Sequence, residues 1–142
     1  MTAPAPTAPP MRATFRDLCF DAHDPQLVGA FWAAVLGRSV EDNGPGDGST
    51  PDAFLPAGPD GGPSIHVNGV PEPKTVKDRL HVDVTLEPGQ EVADLLALGA
   101  TVVAAPGKEP WWVLADPEGH EFCAFLPQVD ATNDADAEVS AS

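Results

Sequence analysis

Residues Arg16 to Val40 read RDLCFDAHDPQLVGAFWAAVLGRSV, and residues Arg79 to Val103 read RLHVDVTLEPGQEVADLLALGATVV. Each stretch runs from alternating polarity into helical spacing, stops at Leu-Gly and continues to β-branched residues, Val40 in the first and Thr101, Val102 and Val103 in the second. Leu36-Gly37 recurs as Leu98-Gly99 after 62 positions. A repeat of this kind signals two copies of one supersecondary unit packed on each other, with the join between them as the natural place for a site.

The first helix is well marked. Asp24-Pro25 supplies an N-cap and a proline at the first helical position. Leu27, Phe31 and Val35 form one four-residue row, Val28, Trp32 and Leu36 the next, and Gly37 provides the stop. A second helix is expected after Glu87-Pro88-Gly89. It buries Val92, Leu95 and Leu96, with Leu98 next in line, and ends at Gly99. Each helix is followed by room for three strands. In the first half these are Arg38–Glu41, Asp52–Leu55 and Ser64–Asn68, joined by Gly/Pro/Asp-rich loops. In the second half they are Thr101–Ala105, Trp111–Ala115 and Glu121–Leu126, giving the order βαβββ twice.

Composition sets the outer limits. With 142 residues and 42% hydrophobic content, the chain suits one domain of two half-domain modules, about 13–70 and 78–127, within a domain spanning 12–127. The Pro/Ala-rich residues 1–11 and the acidic residues 128–142 have too little apolar content to offset ordering entropy and are expected to be disordered tails. A formal charge of −15, from 22 acidic against 7 basic residues, repels phosphate backbones and anionic lipid, so neither nucleic acid nor membrane is an expected partner. No apolar run reaches the length of about 18 residues that spans a bilayer, and the N-terminus lacks the pattern of a signal peptide. The expectation is a cytoplasmic protein whose Cys19 and Cys123 are thiols.

Strand parity indicates where chemistry can occur, because successive side chains point to opposite faces. Leu18 and Phe20 oppose Asp17, Cys19 and Asp21; Leu80, Val82 and Val84 oppose His81, Asp83 and Thr85. Ile65 and Val67 oppose His66 and Asn68, and Phe122, Ala124 and Leu126 oppose Glu121, Cys123 and Phe125. Four strands thus carry polar groups on the face away from the helices. Polar residues of the types His, Asp and Cys suggest a lined cavity more than a solvent face. Trp111 and Trp112 lie on opposite faces of one strand, so one indole faces the cup and can stack on a ligand. His23, before the helix cap, and His120, in a turn, are expected to be exposed.

The stretches DPQLVGAFWAAVLGR, VPEPKTVKDRLHVDV, LALGATVV and WWVLADPEGHEFCAFL resemble the glyoxalase-like branch of the vicinal oxygen chelate superfamily, over roughly Ala13 to Pro127. The resemblance implies an α+β fold in which two βαβββ modules form a cupped eight-stranded mixed sheet with helices on the outer face, often as a homodimer, with a small-molecule ligand in the cup. Activities in the family include glyoxalase, fosfomycin-inactivating transferases, epimerases and extradiol dioxygenases, and also metal-free drug-binding resistance proteins. In metal-using members a divalent ion with open positions chelates two substrate oxygens and stabilises the enolate or alkoxide.

Carried over position by position, the metal set falls on Asp17, His66, His81 and Cys123, with Asn68 as a shifted alternative to His66. Cys123 stands where metal-using relatives carry Glu, and Asp17 where they carry His or Glu, which leaves His81 as the one direct match. The cofactor is therefore none, or one weakly held divalent ion. Two functions follow from the resemblance. In one, a binding protein uses Trp111, Trp112, Asn68 and Asp83 as ligand contacts. In the other, a lyase, isomerase or transferase acts on a small oxygenated metabolite, with His81, His66 and Asp17 as catalytic residues.

Overall fold

The computed structural model describes residues 11–45 and 51–127. Apart from Met11, the two expected tails lie outside these residues. The elements follow in the order β1 (Leu18–Ala22), α1 (Pro25–Leu36), β2 (Glu41–Pro45), β3 (Pro51–Leu55), β4 (Ile65–Gly69), β5 (Val82–Thr85), α2 (Val92–Leu98), β6 (Thr101–Ala104), β7 (Trp112–Ala115) and β8 (Glu121–Phe125). This is βαβββ twice. The eight strands form two four-stranded mixed sheets of matching order, β1-β4-β3-β2 and β5-β8-β7-β6. In each, the first strand of the module pairs in parallel with the last, and the remaining pairs are antiparallel.

Local chemistry explains α1. The Asp24 carboxylate accepts the Leu27 N–H at 3.2 Å, Pro25 occupies the first turn, and Gly37 closes the helix at φ 65°, where a side chain would be strained. The buried face of α1 carries Val28, Phe31 and Trp32. Gly29 lets it approach β3 closely, since a Cβ at this position would meet the Ala53 Cβ at 2.7 Å.

Three boundaries differ from expectation. The second strand begins at Glu41 instead of Arg38, because Arg38 belongs to the helix stop. Its N–H reaches the Ala33 carbonyl, and its guanidinium is held by the Asp60 carboxylate and the Pro63 carbonyl. The strand before α2 begins at Val82, where pairing with Phe122 begins, so Leu80 lies in the connector and is 74% exposed instead of packing beneath a helix. Helix α2 is only seven residues long and buries Val92 and Leu95, one row across two turns. Leu96 and Leu98, expected inside, are 39% and 45% exposed.

The two modules share one core. Trp32 of α1 meets Phe122 of β8 edge to face at 4.9 Å, and Phe31 approaches the same ring at 5.9 Å. The indole Nε1 donates to the buried carboxylate of Asp116 in the β7–β8 turn at 3.0 Å. In the same turn, Glu118 accepts the backbone N–H of His23 at 2.7 Å and that of Asp24, just ahead of α1.

Candidate functional site

Parallel register places Cys19 opposite His66 and Asp21 opposite Asn68 on one sheet, and Asp83 opposite Cys123 on the other. Opposed residues of neighbouring strands share a face, so the parity pattern in the sequence becomes a row of polar groups on each sheet. Asn68 donates to the Asp21 carboxylate at 3.4 Å.

These groups form three separate constellations. His81, Asp83 and Cys123 come together, with one potential ligand atom from each lying within 4.8 Å of the others. The His81 Nε2 stands 3.2 Å from the Asp83 carboxylate. Burial pushes the Cys123 thiol above its ordinary range, and the charge of Asp83 and a hydrogen bond to it push the same way. His66 is elsewhere, its Nε2 3.6 Å from an Asp52 oxygen and its ring edge-on to Phe54. Asp17 accepts the Cys19 thiol at 3.6 Å; burial and Asp17 together raise that thiol as well. Among the described residues, the single group of three or more potential metal ligands is His81, Asp83 and Cys123, and neither Asp17 nor His66 joins it. One imidazole, one carboxylate and one sulfur suit a borderline ion such as Zn²⁺ better than a hard ion such as Mg²⁺. Cys123 must lose its proton before it can ligate.

A cavity of about 850 Å³ opens between β1, the connector of residues 70–82 and the turn of residues 118–121. Leu18, Phe20, Trp32, Leu80 and Val82 supply its apolar wall; Cys19, Asp21 and His81 are among its polar groups. Asp83 lines a smaller hollow of about 280 Å³ that shares Leu18, Trp32 and Val82 with the first. Of the three indoles, Trp32 lines the large cavity. Trp112 packs against the core, and Trp111 stacks on Phe125 with centroids 5.3 Å apart.

A further group enters from the β7–β8 turn. His120 is not exposed as expected; its side chain is only 15% accessible, and its Nδ1 lies 3.2 Å from the Asp78 carboxylate. Beside it, Glu121 accepts the Asp78 N–H at 3.0 Å and the Lys74 ammonium at 3.2 Å. Burial works to raise the Glu121 carboxyl, but these donors outweigh it and hold the group below its usual range. Lys74 and Asp78 in VPEPKTVKDR were the available signal, because charged residues in a connector need partners, and here both find them in the β7–β8 turn and the start of β8.

No curated protein matches the chain in sequence. Among solved structures, the fosfomycin resistance protein FosX from Mesorhizobium loti superposes with a TM-score of 0.58 at 14% identity, covering 89% of this chain and 99% of its own. A glyoxalase/bleomycin resistance protein/dioxygenase family enzyme from Burkholderia phytofirmans PsJN gives 0.55 at 20% identity, covering 78% and 96%. TioX from Micromonospora sp. ML1 gives 0.50 at 21% identity, covering 79% and 97%. These identities speak for the shared fold. The family model of the glyoxalase-like domain matches residues 17–125. Because that match runs from the residue before β1 to the last residue of β8, through both modules and the connector that walls the cavity, this chain belongs to the glyoxalase-like family of the vicinal oxygen chelate superfamily.

Proposed function

We propose that this protein binds a small organic molecule in the cavity beside β1, without a metal, in the manner of a drug-binding resistance protein. The observation that carries the reading is the cavity itself. Its volume of about 850 Å³ is in the range of drug-sized ligand sites, and its wall joins an apolar floor to charged and polar groups that include Asp21, Lys74, Arg79 and Glu118. Resistance proteins among the structural neighbours support a small organic molecule as the ligand. Asp17 and His66 stand apart from His81, so the residues at hand favour contact with a ligand over chelation by both modules. Two free cysteines suit the reducing cytoplasm, and a homodimer belongs to the same reading. No helix of the described residues is long and apolar enough to cross a membrane.

A second reading is favoured by one observation, the grouping of His81, Asp83 and Cys123. Here a borderline divalent ion on these residues would polarise a substrate oxygen, and the protein would be a lyase, isomerase or transferase for a small oxygenated metabolite. His81, His66 and Asp17 would then be the residues to test for a catalytic part.

The test joins elemental analysis of protein purified without chelator or nickel to a small-molecule panel read by tryptophan fluorescence. In a Trp111→Phe, Trp112→Phe background, Trp32 reports alone from the cavity wall. The binding reading expects substoichiometric metal and saturable quenching of Trp32. One equivalent of divalent ion per chain, lost in His81→Ala, would overturn it in favour of the metalloenzyme.

A further inference from the structure

His120 is held on two sides. Its backbone N–H donates to Asp116 Oδ1 at 3.0 Å, and its carbonyl accepts the Asp116 N–H at 2.9 Å. Its imidazole Nδ1 meets Asp78 Oδ2 at 3.2 Å, and Asp78 is itself fixed because its N–H is bonded to Glu121. In the neutral ring, a proton on Nδ1 donated to Asp78 leaves Nε2 as a hydrogen-bond acceptor. That Nε2 is buried and has no hydrogen-bond partner among the described residues. Buried acceptors are seldom left unmet, and one that is calls for an explanation. The residue lines the large cavity, and the Phe20 ring stands beside it in the same wall, 5.6 Å away and tilted by 34°.

We infer that Asp78 and His120 form a hydrogen-bond-accepting subsite of this cavity, which receives the O–H or N–H of a planar ligand whose ring lies against Phe20. The inference rests on the binding role proposed above and names the chemistry of the ligand: a phenol-like or N–H-bearing aromatic. Asp78 is the positioning residue, since its carboxylate selects the tautomer and fixes the ring, and His120 makes the contact. Nε2 is closed over in the free chain, so the donor reaches it through a small turn of the Phe20 or His120 ring. The other unpartnered imidazole nitrogen, Nε2 of His66, differs in both respects. It lies 3.6 Å from Asp52 and lines neither hollow.

The experiment uses the full ¹⁵N-labelled chain and two probes of nearly equal shape, phenol and anisole, the second lacking the donor. Long-range ¹H–¹⁵N spectra read the imidazole nitrogens while amide shifts of residues 18–21 read entry to the cavity. Phenol is expected to move the His120 Nε2 resonance and to bind about tenfold tighter than anisole, the ratio that one buried hydrogen bond supports. In His120→Phe the two probes should bind alike. If that variant does not fold, the Nε2 shift in the unaltered protein decides the matter. Equal binding of both probes with Nε2 unmoved would overturn the subsite and leave the cavity's binding role intact. No shift at residues 18–21 with either probe would remove the binding role and the subsite with it.

Discussion

The indole N–H of Trp32, in the middle of α1, donates to Asp116 in the turn before β8, so the helix of one module is bonded to the hairpin of the other. Asp116 is only 2% exposed, and its second carboxylate oxygen accepts the N–H groups of Glu118 and His120. Replacing it with alanine strands three donors where water has little access. Asp116→Ala is expected to cost about 3 kcal/mol, since each unmet buried donor carries a penalty of roughly 1–3 kcal/mol and the turn relaxes in part. Urea denaturation followed by circular dichroism checks this; a loss under about 1 kcal/mol would show that the junction does little for stability.

Gly29 lies within α1 and Gly37 caps it, and the two separate two effects. At Gly37 a Cβ has open space but the backbone is left-handed, so Gly37→Ala should cost about 1 kcal/mol. At Gly29 the backbone gains up to about 1 kcal/mol of helix propensity, but the added methyl collides with Ala53 on β3. Overpacking costs roughly 1–3 kcal/mol and wins. Gly29→Ala is therefore expected to be net destabilising, and the double variant Gly29→Ala, Ala53→Gly should recover part of the loss. Thermal melts of the three proteins provide the comparison.

The two thiols should react at different rates. Cys19 is exposed and Cys123 is buried, while burial and a neighbouring carboxylate raise both above the ordinary value of 9.0. Since the thiolate is the reacting form, alkylation by iodoacetamide at pH 7.5 should be slow at Cys19 and slower at Cys123, both rates still climbing past pH 9. Mass spectrometry of time points identifies each site. Cys123 reacting first would contradict the arrangement.

Acid should loosen the connector before it unfolds the core. The folded value of Glu121 lies below its ordinary 4.5, so its hydrogen bonds to Lys74 and Asp78 stabilise the fold fully above that value. The contribution is lost as pH falls from about 5 through the lowered value. Glu121→Gln should be less stable at pH 7 and should show a shallower loss of stability between pH 5 and pH 3. Parallel slopes in denaturant titrations at these pH values would refute the assignment.

What could be read in the sequence was whatever depends on neighbours along the chain. The caps of α1, the stops at Gly37 and Gly99, and the alternation around Cys19, His66, Asp83 and Cys123 are local, and the structure has them where the spacing places them. Contacts decided by the meeting of distant segments were not legible. Leu80 has the parity of a buried residue but precedes the first pairing of β5. His120 sits in a turn of ordinary composition, and its ring is covered by segments far away in sequence, Phe20 of β1 and Asp78 of the connector. Arg38 has the look of the first strand residue after a glycine stop, yet a carboxylate far along the chain draws it back to the helix end.

The parallel pairs β1–β4 and β5–β8 also set the order in which the molecule can assemble. Hairpins β3–β4 and β7–β8 close short loops, whereas Leu18 must find Ile65 and Val82 must find Phe122 across whole modules. Closing such distances costs entropy that only finished partners repay, so each leading strand is the late arrival in its sheet and, lying at the sheet's edge, the first to fray. Residues of β1 line the large cavity, and its wall is therefore completed last and lost earliest. A molecule lodged there would lock the final strand in place, so occupancy should register as slower unfolding and greater amide protection at residues 18–22.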